Sequence, residues 1–91
     1  NLLHHAPGNR PGQILGIRPE HLDVASDGWP VQVETVELLG AERLVHARLG
    51  DEALIVRLHE GEGAPAVGST LTVRPRQDRL HAFDATPGQR L

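Results

Sequence analysis

Residues 31–59 read VQVETVELLGAERLVHARLGDEALIVRLH, and their pattern decides the fold. Val31-Gln32-Val33-Glu34-Thr35 alternates apolar and polar, the period of a half-buried strand. The phase then slips at Val36-Glu37-Leu38-Leu39, which is what a bulge produces. Gly40 closes the run. Arg43 to Leu49 is a second strand, bounded by Gly40 and Gly50, which leave too little length for a helix despite helix-favouring Arg, Leu and Ala. Gly50-Asp51-Glu52 is a compact turn. Ala53 to His59 is a third strand, with Leu54, Val56 and Leu58 on one face. Strands joined by short Gly turns predict hairpins.

Working outward, Ile14-Leu15-Gly16-Ile17 predicts a short strand. Pro19 suits the opening of a helical or 3₁₀ turn, where no amide donor is needed. Asp27-Gly28 marks a turn. Residues 60–69 hold Gly61, Gly63, Pro65 and Gly68 and predict a loop. Thr70 to Arg74 alternates cleanly as a strand that Pro75 halts, and Arg79 to Asp84 is a last strand. Residues 1–13, with two Pro, two Gly and two adjacent His, read as a linker or frayed arm. The expected organisation is an arm over 1–13 and one domain over 14–91. Five or six short strands with almost no helix predict an all-β protein, a small and partly open OB-like barrel.

Composition limits the chemistry. Hydrophobic residues make up 38% of the 91, and Trp29 and Phe83 are the only aromatic side chains. The core is therefore aliphatic, and Trp29 is either an exposed anchor for a partner or a plug at a strand edge. The formal charge is −3, and all nine basic residues are arginine. Without lysine there is no P-loop. An acidic chain with so few rings has neither the basic groove nor the stacking platform of a nucleic-acid-binding barrel. Cysteine is absent, which excludes thiolate nucleophiles and Cys-ligated zinc and fits a cytoplasmic protein. The chain starts with Asn rather than Met, as expected of a processed or truncated polypeptide.

Six histidines raise the question of a metal, but no local spacing fixes three or four ligands. His46, His59 and His81 sit on separate strand candidates, and His46 and His59 flank one hairpin that could bring them near each other. Glu34/Glu37 and Asp51/Glu52 read as solvent-facing charges rather than an acid–base pair. Neither Ser26 nor Ser69 sits in a nucleophile elbow. The expectation is a non-enzymatic domain with no cofactor or metal of its own. Arg43, Arg48 and Arg57 on neighbouring strands are candidates for an oxyanion site, although alternation puts Arg43 and Arg48 on opposite faces.

Three stretches carry a family resemblance: GIRPEHL at 16–22, VELLGAE at 36–42, and LHAFD at 80–84 running into TPGQRL at 86–91. In that order and spacing they resemble the C-terminal regulatory region, of TOBE or OB-like fold, of ATP-binding subunits of carbohydrate ABC importers. Residues 44–50 and 55–58 are most similar to importers of sn-glycerol-3-phosphate. The resemblance implies a regulatory and dimerisation domain, peripheral to the inner membrane on the cytoplasmic side. It implies a second copy as partner, a preceding ATPase domain that holds ATP and magnesium, membrane subunits, and a regulatory protein. It marks Arg18, Pro19, Glu20, Gly40, Glu42, Phe83, Asp84 and Gly88 as structural or interface positions. Phe83 is then expected to plug the barrel and Asp84 to cap the turn after it. A small-ligand, oxyanion-sensing module is the alternative.

Overall fold

The computed structural model describes residues 1–84. Among these residues the chain forms seven strands: β1 Leu2–Leu3, β2 Gln13–Gly16, β3 Leu22–Leu39, β4 Glu42–Leu49, β5 Glu52–His59, β6 Thr70–Pro75 and β7 His81–Asp84. They build two antiparallel sheets, one of order β1-β2-β7 and one of order β5-β4-β3-β6. The all-β, OB-like expectation holds, but the strands do not close into a barrel. Helical structure among the described residues is limited to three short 3₁₀ turns, Pro19–His21, Glu60–Glu62 and Gln77–Arg79. Pro19 opens the first of them, as its fixed φ and missing amide allow.

The decisive hairpins form as the alternation dictates. Leu54, Val56 and Leu58 of β5 face inward with Val45, Ala47 and Leu49 of β4. Val31 and Val33 of β3 and Val73 of β6 complete the buried face. Glu34 is the extra residue of a bulge, since Val33 pairs with Ala47 while Thr35 pairs with His46. The phase slip seen in the sequence is this bulge, two residues before its visible effect at Val36.

Asp27-Gly28 does not end a strand. Both Val24 and Trp29 of β3 lie opposite Val73, so residues 25–28 form a detour within one long strand. Gly28 has φ +144, and a Cβ there would lie 2.4 Å from the carbonyl oxygen of Val73. Only glycine fits so close a backbone approach. The turn chemistry of this dipeptide is real, but the sheet resumes its ladder beyond it.

The stretch 1–13 is not frayed. Leu2 and Leu3 pair with Gly16 and Leu15, and Leu3 and Ala6 are buried in the core. The Asn1 side chain bonds both backbone groups of Ile55, donating to its carbonyl at 2.7 Å and accepting from its amide at 2.8 Å. The Asn9 amide donates to the carbonyls of Leu3, His4 and Gln13. These are polar side-chain bonds to backbone, which leave no periodic trace in a sequence.

Trp29 is buried and plugs the space between the sheets. Phe83, expected in that role, is instead 36% exposed. It sits on β7 opposite Ile14 of β2, and its ring would meet a Cβ on Gly16 at 3.1 Å. The aromatic ring covers a glycine on the outer face rather than filling the interior. Arg79 belongs to a 3₁₀ turn, so the last strand starts two residues later than expected.

Candidate functional site

An open groove of about 560 Å³ lies beside β2 and β7. Its floor is Gly16 and Ile17 at the end of β2. One wall is the Pro19–His21 turn, which presents Glu20 and His21. The other is formed by Arg79 and by His81 and Phe83, alternate residues that share a face of β7. Leu2, 64% exposed, lies at the rim with Arg18.

The groove is mainly basic. Arg18, His21, Arg79 and His81 line it, and Glu20 is the only acid among the described lining residues. Its own backbone amide, helped by Arg57, His21 and Arg18, holds the Glu20 carboxyl below the usual carboxylate range against an opposing desolvation. Glu20 is therefore ionised at neutral pH and only accepts hydrogen bonds.

A second, smaller cleft is lined by Glu20, Asp23, Glu42, Arg57, His59 and Arg76, among others. Both of its arginines are paired. Arg76 grips Asp23 through two nitrogens, and this bonding raises the Arg76 pKa. Arg57 lies 4.0 Å from Glu42. Paired, exposed charges of this kind contribute little net energy.

Of the positions marked by resemblance, the fold brings Arg18, Glu20 and Phe83 to one groove and sets Pro19 at the start of the turn that shapes it. Gly40 stands apart at the β3–β4 turn with φ +61, and Glu42 opens β4 beside Arg57. Asp84 pairs in register with Gln13 at the end of β7, and Gly88 lies outside the described residues. The role of Asp84 in capping a following turn also falls outside them.

The structure separates the other candidates. His46 lies opposite Ile55 and contacts Glu37, whereas His59 lies opposite Glu42. Among the described residues no three His, Asp or Glu side chains gather as metal ligands. Arg43 faces the inner side of the sheet with Val45. Arg48 points outward to Glu34 and the Asp51 carbonyl, and Arg57 points outward to Glu42. The three guanidinium groups do not converge. Glu52 is structural, since it accepts the amides of His4 and His5 and contacts the His4 ring. His21, Arg79 and His81 are not singled out by sequence. The spacing of His81 and Phe83 gives a one-face signal, but nothing local shows that two 3₁₀ turns bring Arg79 and His21 beside them.

The TOBE domain family model matches residues 15–83. The chain belongs to the TOBE domain family. Among curated proteins it is 48% identical over 80 residues to the sn-glycerol-3-phosphate import ATP-binding protein UgpC of Salmonella typhi. It is 45% identical over the same length to that of Escherichia coli K12. Each alignment covers 85% of this chain and 22% of the relative, so this TOBE domain spans about a fifth of the proteins it matches. No helix of the described residues is long and apolar enough to cross a membrane.

Proposed function

We propose that this TOBE domain is the C-terminal regulatory and dimerisation domain of the ATP-binding subunit of an ABC importer whose cargo is sn-glycerol-3-phosphate. The observation that carries the reading is the identity of 45–48% with UgpC proteins, sustained across 85% of the chain. The ordered motifs GIRPEHL, VELLGAE and LHAFD all fall within or across the family match, and agree with it.

In this reading the domain catalyses nothing. It has no lysine with which to build a P-loop, so ATP and magnesium belong to a separate ATPase domain. Its work is to hold two copies of the subunit together and to receive regulatory signals, including those of a regulatory protein, at the cytoplasmic face of the inner membrane. The membrane subunits are engaged through the ATPase domains. The β3–β4 hairpin supports an association role. Its end exposes two adjacent leucines, Leu38 (69%) and Leu39 (49%), beside Gly40 as an apolar tip.

The test is the assembled transporter with and without this region. Deleting it leaves ATP turnover measurable while abolishing its regulation and weakening subunit pairing. Unchanged regulation together with unchanged assembly refutes the proposal. Within the intact subunit, Leu38→Glu with Leu39→Glu weakens self-association in sedimentation equilibrium.

A further inference from the structure

β2 carries apolar residues on both of its faces. Ile14-Leu15-Gly16-Ile17 is an unbroken apolar run, the pattern of a strand that is covered on both sides. One side is accounted for, because Leu15 and Ile17 are buried in the core with Leu3. The other side carries Ile14 and Gly16. Cross-strand partners share a face, so Leu2 of β1 and His81 of β7 flank Gly16, and Phe83 of β7 stands beside Ile14. A Cβ on Gly16 would lie 3.1 Å from the Phe83 ring and 3.5 Å from the Leu2 side chain, so these two side chains close in over the glycine. Leu2 is nevertheless 64% exposed and Phe83 36%. An apolar strip is thus left open on the outside of the smaller sheet, rimmed by Arg18, Glu20, His21 and Arg79. An apolar centre with a polar rim is the anatomy of a contact surface.

Two observations say what covers it. This chain spans 22% of the ATP-binding proteins it matches, so most of each such polypeptide lies outside the aligned region. The direction of β1 is the second. Asn1 donates to the Ile17 carbonyl and accepts from the Ile17 amide, so a residue before Asn1 would fall opposite Arg18, on the rim of the strip. A domain that enters along β1 is tethered within a few residues of the strip, and a short tether gives it a high effective concentration there. We propose that the outer face of the three-stranded sheet, centred on Leu2, Gly16 and Phe83, is the seat of the preceding domain of the same polypeptide. The inference rests on the importer reading, which supplies that domain. Gly16 has a structural part in it, since without a Cβ the centre of the strip stays low and an apolar surface can approach the β2 backbone. The seat uses none of the residues of the Leu38–Leu39 tip, so docking of this domain and pairing with a second copy do not compete for side chains.

Alkylation of single cysteines in the full-length subunit, free of membrane subunits, tests it. This chain has no cysteine of its own, so Leu2→Cys, Phe83→Cys and Val67→Cys are each scored by mass on one peptide. Val67, in the loop before β6, is 66% exposed and so matches Leu2 in the uncovered state. With the face covered, Leu2→Cys and Phe83→Cys react about tenfold more slowly than Val67→Cys, as for a docked state favoured about ten to one. A melting curve like the parent's verifies that each variant is folded. Leu2→Cys reacting as fast as Val67→Cys overturns the proposal. So does slow reaction that sets in only as the subunit concentration rises, because a second copy then covers the strip. Neither result touches the importer reading, which fails instead on unchanged regulation and assembly after the region is deleted.

Discussion

The two sheets are held by different forces. The four-stranded sheet buries a continuous inner face of Val31, Val33, Val45, Ala47, Leu54 and Val56. The three-stranded sheet has strands of only two to four residues. Its outer strand β1 is fixed to the larger sheet by Asn1 on Ile55 and by Glu52 on the amides of His4 and His5. Apolar burial is strong and tolerant of small displacement, because it scales with area. Polar staples are directional and each contributes only about 1 kcal/mol net. The comparison teaches that position and stability are separately specified: the larger sheet supplies the stability, while the arm sets where β2, and with it the groove, stands.

The comparison breaks if the core of the larger sheet is not dominant. Leu54→Ala, at a fully buried site, is expected to cost about 2–5 kcal/mol, enough to unfold most of a domain this small at ambient temperature. Urea titration measures it, and a cost below about 1 kcal/mol would show that the inner face is loosely packed. Gly28→Ala comes next, at about 1–3 kcal/mol, because the new methyl group would overlap the Val73 carbonyl and the backbone would resist a φ of +144. A thermal midpoint within a degree of the parent would mean that the detour relaxes freely.

The staples produce smaller and more local effects. Asn1→Ala is expected to cost about 1 kcal/mol and to raise amide exchange at Leu3, Ile17 and Ile55 while the β3–β4 ladder stays protected. Equal loss of protection in both sheets would end the distinction. For Glu52, burial pushes the carboxyl up, but the amides of His4 and His5 and the His4 ring outweigh it and hold the group below the usual range. A depressed folded pKa means stability that is complete above the unfolded value and is lost as pH falls through the folded one. The arm is therefore expected to loosen below about pH 4.5, the ordinary carboxylate value. Glu52→Gln should remove that acid dependence from the His4 and His5 exchange rates, and an unchanged acid limb would assign it to another group. The smallest effect is Gly16→Ala, within about 1 kcal/mol. The Phe83 ring must shift by a few tenths of an ångström to admit the methyl group, so its aromatic resonances should move while the melting curve hardly does.

Much of this architecture is legible in the chain. From Val31 to His59 the β3–β4–β5 meander is a run of alternating residues with glycines at its turns, and local periodicity specifies that part of it. The position of Pro19 marks the 3₁₀ turn. What escapes such reading is non-local or polar. β6 pairs with β3 and β7 with β2 across long stretches of sequence, and no spacing encodes that order. Trp29 and Phe83 are the two large rings of the chain, and only the fold decides that one is interior and the other covers Gly16. The arm resembles a linker in composition because its anchors are one asparagine at each end and a distant glutamate. Arg18, Glu20 and Phe83 are singled out by resemblance, yet their meeting in one groove with His21, Arg79 and His81 depends on the β2–β7 pairing.

The detour at residues 25–28 has a practical side. Because Val73 faces both Val24 and Trp29, the ladder is already discontinuous there, and the strand resumes on its own register. Extra residues inserted between Ala25 and Asp27 would lengthen an outward loop and leave every rung in place. The entropic cost of such an insertion grows only with the logarithm of loop length, about 0.6 kcal/mol for each doubling. The domain thus carries, inside its longest strand, a port for a tag or fluorophore, provided that Gly28 and the Asp27–Arg74 pair are kept to seal the exit.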